Sequence, residues 1–551
     1  MVSFSRRSQI LLASSAAFFL ASCGADDVAS PGAGSVPVTI NQPAPTPTPT
    51  GPVAPAALTA AQFALATTQS GVTITADEQL ALINAGQNNN VNGFGTTLNS
   101  VYPVGGASLA TASNPQTVLG NSAFLQNTSF VGALSGPNDN AFSGWTCNSS
   151  SASFLNSSAC TAVPSIGTGA AAASCPTGLI DDGTNEIRNS SGAVTTAATF
   201  RYCRLPLVMT SDLTLAKVPG TVYRLRGQTE VGVDGRNDVT LTIQPGVVLA
   251  ADSTETSNDM LLVNRGSKLN AVGTAEAPII FTAQQNLVNN GVSDSSQGLW
   301  GGVILLGRAP TAVCATGTGP NTADGTSAGA ANPCQQQIEG VTGRLYGGTN
   351  QADSSGTLQY VQIRYTGIAI SEGNELQGLT LGGTGSGTTI DHVQSHNSAD
   401  DGIEIFGGTT NLKYFVVTGA DDDGFDVDNG WRGFMQFIIA AQKAGGSTAD
   451  SFATEIDSNG GEDLLPRTYG RYANFTFIQT NSAPAAIRLR GGADFAFVNG
   501  IVKTAAGAAC VNVIASAGAG AQRTTIRPAD AALQDVGPPT FNSVYFQCQG
   551  R

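Results

Sequence analysis

Histidine is nearly missing from this 551-residue chain, which holds only His392 and His396, and no two cysteines stand in a Cys-x-x-Cys pair. Imidazole and paired thiolates are the usual zinc ligands, so a zinc centre lacks its material. Charge is also scarce, at 12% of residues, and it is lopsided: 25 Lys and Arg face 39 Asp and Glu, a net −14. Nucleic acids and anionic membrane surfaces are held by basic patches, and this composition does not supply them. No Gly-x-Ser-x-Gly elbow, phosphate-binding loop or dinucleotide fingerprint occurs in a supporting strand–turn–helix context. Past the first residues, no run has the length and apolarity of a membrane-spanning helix. Amphipathic helical periodicity is missing from about Thr240 onward.

Glycine, by contrast, is abundant, at 67 residues. The chain opens with Arg6-Arg7, an apolar run from Ile10 to Leu20, and then Ala21-Ser22-Cys23. A charged start and a short apolar core describe an export signal, too short to span a bilayer. Leu20-Ala21-Ser22-Cys23 resembles the lipobox of bacterial lipoproteins. That resemblance implies that residues 1–22 are a signal peptide and that Cys23 becomes the lipidated, palmitate-bearing first residue. Gly24, in place of an inner-membrane-retaining aspartate, implies an outer-membrane lipoprotein at the cell surface or released from it. Each buried lipid methylene contributes about 0.8 kcal/mol, so the anchor is the expected membrane contact. Residues 23–57 form the tether, with prolines alternating between Val36 and Pro55 as in an extended, semi-rigid spacer.

Apart from Cys23, the cysteines are Cys147, Cys160, Cys175, Cys203, Cys314, Cys334, Cys510 and Cys548. An even set in an exported chain suggests disulfides, and the simplest pairing joins sequence neighbours. Residues 58–210 are rich in Ser, Asn, Thr and Gly, with a capping box at Thr75-Ala76-Asp77-Glu78 and a short helix expected over Ala76–Ala85. They are expected to form an irregular, disulfide-stapled region that caps one end of residues 211–505. Residues 506–551 are expected to cap the other.

Between the two caps lies a repeat. Asp400-Asp401-Gly402-Ile403-Glu404-Ile405 recurs 22 residues later as Asp422-Asp423-Gly424-Phe425-Asp426-Val427. The alternation continues in Thr454-Glu455-Ile456-Asp457 and Ile487-Arg488-Leu489-Arg490. That period predicts an all-β, right-handed parallel β-helix over residues 211–505. Ile403, Ile405, Phe425, Val427, Ile487 and Leu489 are expected to point inward by the two-residue strand period. Val361/Ile363, Tyr414/Val416, Phe437/Ile439, Phe475/Phe477 and Phe495/Phe497 are expected to build a second inner wall. The segments Thr240–Leu249, Leu262–Gly273, Pro278–Thr282, Trp300–Pro310, Ile403–Gly408 and Asp421–Arg432 resemble bacterial surface lipoproteins with parallel β-helix repeats, a likeness specific for fold and not for activity.

Aligned rungs place Thr380, Glu404, Asp426, Glu455 and Arg488 in one outward column, and Phe406, Asp428, Asp457 and Arg490 in the next. Stacked carboxylates repel unless a cation sits among them, and calcium suits all-oxygen sites. Glu404, Asp426, Asp428, Glu455 and Asp457 are therefore the metal candidates. Pectate-lyase-like β-helices are similar in architecture, which implies a metal-bridged polyuronide with Arg488 or Arg490 as catalytic base. Asp400-Asp401 is faintly similar to the carboxylate pair of β-helix glycoside hydrolases, but their Gly-His-Gly context is missing. The larger expectation is that these Asp-rich segments are strand turns and solvated surface. His392 and His396 are expected to be packing residues. Trp431 with Arg432, and Tyr469 and Tyr472 near Arg467 and Arg471, are candidates for a ligand-binding surface. The functions in view are non-enzymatic binding or scaffolding, for a polysaccharide or an exported protein; a calcium-dependent polysaccharide lyase; and an accessory to another exported enzyme. A chain folded and bridged before release fits a secretion machinery that handles folded proteins.

Overall fold

A computed structural model describes residues 112–547, apart from 168, 189–193, 235–237, 254–257, 288–290, 318–332, 372–373, 445–450, 459–462, 482, 506–507, 514–524, 526–528 and 538. Cys23, the tether, the 76–85 helix and Cys548 lie outside the described residues. Two long sheets dominate the described residues, one of ten parallel strands and one of fifteen that is parallel except where Ile180–Arg188 meets Val194–Arg204. Each rung supplies a short strand to the first, such as Leu379–Gly382, Ile403–Phe406 and Phe425–Asp428, and a longer strand to the second, such as Thr389–His396, Asn411–Thr418 and Phe434–Ala441. The chain is thus a parallel β-helix. Ile403, Ile405, Phe425, Val427, Ile487 and Leu489 all meet in its central core, as the alternation requires.

The second wall departs from expectation at a corner of the rung. Tyr360, His392, Tyr414, Phe437, Asn474, Asn499 and Ser543 all have φ between +49° and +58°. They stack in one column, skipped by the strand pairing on both sides. One left-handed residue takes up a place in the alternation without using a strand position. Past the corner, Phe415/Val417 and Ile438/Ala440 therefore face the core, while Val416 and Ile439 face outward. Val361/Ile363, Phe475/Phe477 and Phe495/Phe497 point inward as expected. Left-handed backbone costs an L-residue about 1–2 kcal/mol. The column offsets this by stacking: ring centroids lie 4.4 Å apart for Tyr360 and His392, 4.4 Å for His392 and Tyr414, and 4.7 Å for Tyr414 and Phe437.

The outward apolar residues explain where the N-terminal region goes. Its residues 112–166 run along the flank of the fifteen-stranded sheet, while Ile180–Arg188 pairs with Val194–Arg204 at that sheet's first edge. Ser113 bonds Asn499, Thr128 bonds Asn474, and Cys147 N–H donates to Gln394. Phe142, Trp145 and Phe154 pack on Val416, Phe437 and Ile439. Disulfides join Cys147–Cys160, Cys175–Cys203 and Cys314–Cys334, the neighbour pairing expected. Cys510 is also disulfide-bonded. The expected C-terminal cap is in part another rung: Ala509–Val513 pairs with Ala485–Leu489, and Thr540–Gln547 with Asp494–Thr504. At the other end, parallel stacking already begins with Val194–Arg204 on Thr221–Leu225, ahead of residue 211.

Candidate functional site

The predicted outward column stands in register: Thr380 beside Glu404, Glu404 beside Asp426, Asp426 beside Glu455, and Glu455 beside Arg488. The turns leading into these strands end in Gly402 and Gly424. A Cβ at Gly402 would come within 2.2 Å of Val417 Cγ1, and one at Gly424 within 2.6 Å of the Ala453 carbonyl, so close packing demands glycine at both. The aspartates before them divide the work. Asp401 accepts a hydrogen bond from Asp423 N–H at 2.8 Å, and Asp423 accepts one from Phe452 N–H. One carboxylate per turn thus fastens the next turn, which is the expected structural role. All four carboxylates also border a cleft.

That cleft has a volume of about 270 Å³. Glu339, Glu375, Asp400, Asp401, Glu404, Asp422, Asp423, Asp426, Asp428, Glu455 and Asp457 border it, with Arg490 and Gln377. Its two ends differ in charge. At one, Arg490 lies 2.6 Å from Glu455 and 2.6 Å from Asp457, and Arg488 lies 3.2 Å from Glu455. At the other, Asp400, Asp401 and Asp422 bring one oxygen each within 4.8 Å of one another, as do Asp401, Glu404 and Asp426. Asp401 is shared. Asp426 Oδ1 is sealed from solvent without a hydrogen-bond partner.

Electrostatics follow from this crowding. Burial, then the charge of Asp422, pushes Asp400 up to about 8. Burial likewise holds Asp401, Glu404, Asp423 and Asp426 well above the usual carboxylate range, with neighbouring carboxylates adding to it. Burial raises Glu339 too. Such a group of oxygens either shares protons or holds a cation, and flexible all-oxygen coordination is what calcium accepts. Of the five metal candidates, Glu404 and Asp426 stand with Asp400, Asp401 and Asp422 where oxygens cluster, Asp428 borders the same cleft, and Glu455 and Asp457 pair with arginine.

The two catalytic candidates stand as counter-charges. Burial alone would lower Arg490, yet Glu455 and Asp457 outweigh it and hold the guanidinium above its ordinary range. A base must lose that proton, so the geometry of Arg490 opposes the role. Arg488 is set against Glu455 and the Phe452 ring, 4.9 Å from its centroid.

The aromatic surface needs correction. Trp431 is fully buried and its indole N–H donates to the Thr410 carbonyl at 3.0 Å, so it presents nothing to a ligand. Tyr472 and Arg467 are also buried. Tyr469, Arg432 and Arg471 do come together, half-buried. His392 belongs to the stacked corner, and His396 is buried against Thr418, its Nδ1 2.9 Å from the hydroxyl. Glu339 and Glu375 had no signal in the repeat because they arrive on two separate insertions, one before Gly356–Arg364 and one after it. Asp400, Asp401 and Asp422 had one, since the Asp-Asp-Gly turns recur with the strand repeat.

A family model described as a pectate-lyase like beta helix domain matches residues 207–544, a span that contains both long sheets' main run and the cleft. No curated protein and no solved structure matches the chain.

Proposed function

The chain belongs to the pectate-lyase-like β-helix domain family, and from that premise we propose that it is an exported, lipid-anchored protein that binds an acidic polysaccharide through calcium, without cleaving it. The observation that carries this reading is the crowding of carboxylate oxygens at one end of the cleft. Two oxygen triads sharing Asp401 would hold the ion, and Asp426, a member of one triad, has its Oδ1 buried without a hydrogen-bond partner. Bound calcium supplies positive charge to which sugar carboxylates can attach. Glu455 and Asp457 do not compete for it, because Arg488 and Arg490 hold them. Cys23 would place the binding face outside the cell, lifted from the membrane by the proline-rich tether.

Binding stands ahead of lyase chemistry because both candidate bases are ion-paired. The test is calorimetric titration of the full chain with calcium, beside Asp401→Asn/Asp426→Asn, followed by retention on polygalacturonate. The reading expects calcium uptake lost in the variant, calcium-dependent retention, and no unsaturated product. Unsaturated product that disappears in Arg488→Ala would establish the lyase instead. No calcium uptake by the parent chain would end both readings.

A further inference from the structure

Most arginines among the described residues have an acid beside them. Arg265 pairs with Asp234, Arg344 with Glu230, and Arg490 with Glu455 and Asp457. Arg432 and Arg471 do not: among the described residues neither makes an ion pair. Arg432 sits at the end of the turn leaving Phe425–Asp428, and Arg471 lies on Tyr469–Gln479 opposite Phe434. Both are held by backbone carbonyls and rings. Arg432 Nη1 donates to Arg467 O at 2.8 Å, and Arg471 Nη2 to Arg432 O at 2.9 Å. The Arg471 guanidinium lies 3.7 Å from the Phe434 ring centroid and 4.7 Å from that of Tyr469, while Arg432 lies 5.6 Å from Tyr469.

Two cations, half-buried and side by side, are costly without an anion. Burial lowers Arg471 to about 10, and burial lowers Arg432 as well. The carboxylate that influences Arg432 is Asp494, and it answers poorly. Burial and Asp535 push Asp494 up to about 7, and its Oδ2 already accepts from Val536 N–H. Among the described residues, Arg432 Nε and Nη2 and Arg471 Nη1 make no hydrogen bond. On a chain of net charge −14, such a pair is out of keeping with the rest of the surface.

We propose that Arg432 and Arg471, braced by Tyr469 and Phe434, form a second binding site that takes the carboxylate or sulfate of an acidic saccharide without a metal ion. Guanidinium forks match the paired oxygens of such groups, and stacking on rings fixes the forks in advance. The saccharide identity rests on the reading above; anion capture by the two guanidiniums does not.

The experiment titrates the full chain, in EDTA, with trigalacturonate and with a sulfated heparin tetrasaccharide, using neutral maltotriose as control. Binding of one or both anions is expected, weakened by salt, and reduced at least about tenfold in Arg432→Gln/Arg471→Gln, the loss of one or two charge-assisted hydrogen bonds. Arg432→Lys/Arg471→Lys keeps charge but not the forks, and it serves if the Gln pair fails to fold; affinity reduced about threefold or more is expected. Asp401→Asn/Asp426→Asn should bind as the parent does. Undiminished affinity in a folded Gln or Lys pair overturns the site. So does an equal loss in the aspartate variant, equal binding of maltotriose, or no binding of either anion in EDTA. Failure of calcium uptake alone would strike the cleft and leave this site standing.

Discussion

Raising pH in the absence of calcium should loosen the protein, and the cleft sets the size of the effect. A carboxyl whose folded pKa is raised contributes stability that is full below its unfolded value and lost as pH rises through the folded one. Asp400 goes from 3.8 to about 8. At pH 6.5 it is protonated in the folded chain and ionised in the unfolded one. Raising the pH to 9 therefore crosses about 1.5 units of the remaining window, roughly 2 kcal/mol at about 1.4 kcal/mol per unit. Unfolding entropy of about 2.1 cal/mol/K per residue makes 1 kcal/mol worth about 1 °C in a fold this size. Tm in EDTA should thus fall by about 2 °C or more between pH 6.5 and 9, since Asp401, Glu404 and Asp426 act in the same direction. Calcium, binding the ionised cleft, should reverse the fall, and Asp400→Asn should shrink it. Scanning calorimetry with and without calcium measures both. A Tm that is level or rising from pH 6.5 to 9 in EDTA, and indifferent to calcium, would refute the electrostatic account of the cleft.

Below pH 6.5 His396 works against the carboxyls: burial, assisted by Arg364, depresses it from 6.5 to about 3, so its own contribution declines as pH falls from 6.5 towards 3 while that of Asp400 still rises. By pH 4.5 the His396 contribution is smaller by about 3 kcal/mol, read as the urea midpoint of the parent falling relative to that of His396→Gln over the same range. Arg364 is buried with its guanidinium on Gln362 Oε1 and the Cys160 carbonyl; Arg364→Met should cost about 2–4 kcal/mol in denaturant unfolding by stranding those acceptors. Replacing both Cys147 and Cys160 by serine should destabilise by about 3 kcal/mol and speed proteolysis within 112–166, because the bridge holds Cys147 and the adjoining Trp145 against Gln394 and Gln362. Ile405→Ala, in the middle of the solenoid core, should cost about 2–4 kcal/mol by the same urea assay, with the calcium titration unchanged.

How far the sequence disclosed this structure depends on whether a residue's neighbours are set by the repeat. Glu404, Asp426, Glu455 and Arg488 were legible as a column because each occupies the same place in successive rungs, and strand pairing turns that place into contact. The disulfides between sequence neighbours were legible for a related reason, since short closures need few assumptions about fold. Trp431 misled because its neighbour Arg432 is half-exposed, and nothing in a turn sequence says that the indole folds under it. Glu339 and Glu375 were silent because an insertion has no register with the repeat.

The inner wall shows why period alone was insufficient. A two-residue alternation predicts facing only while every residue occupies a strand position, and the left-handed corner removes one. Glycine or asparagine at that corner would have announced it; Asn474 and Asn499 do, but Tyr360, His392, Tyr414 and Phe437 disguise it as strand. Those four tolerate the strained backbone because their rings stack on one another and beneath the N-terminal strap, so the local conformation is stabilised by contacts far away in sequence. The same displacement turns Val416 and Ile439 outward, and that in turn obliges residues 112–166 to cover the flank. A one-residue change of parity, invisible to periodicity, thus decides which apolar side chains of the fifteen-stranded sheet the N-terminal segment has to cover.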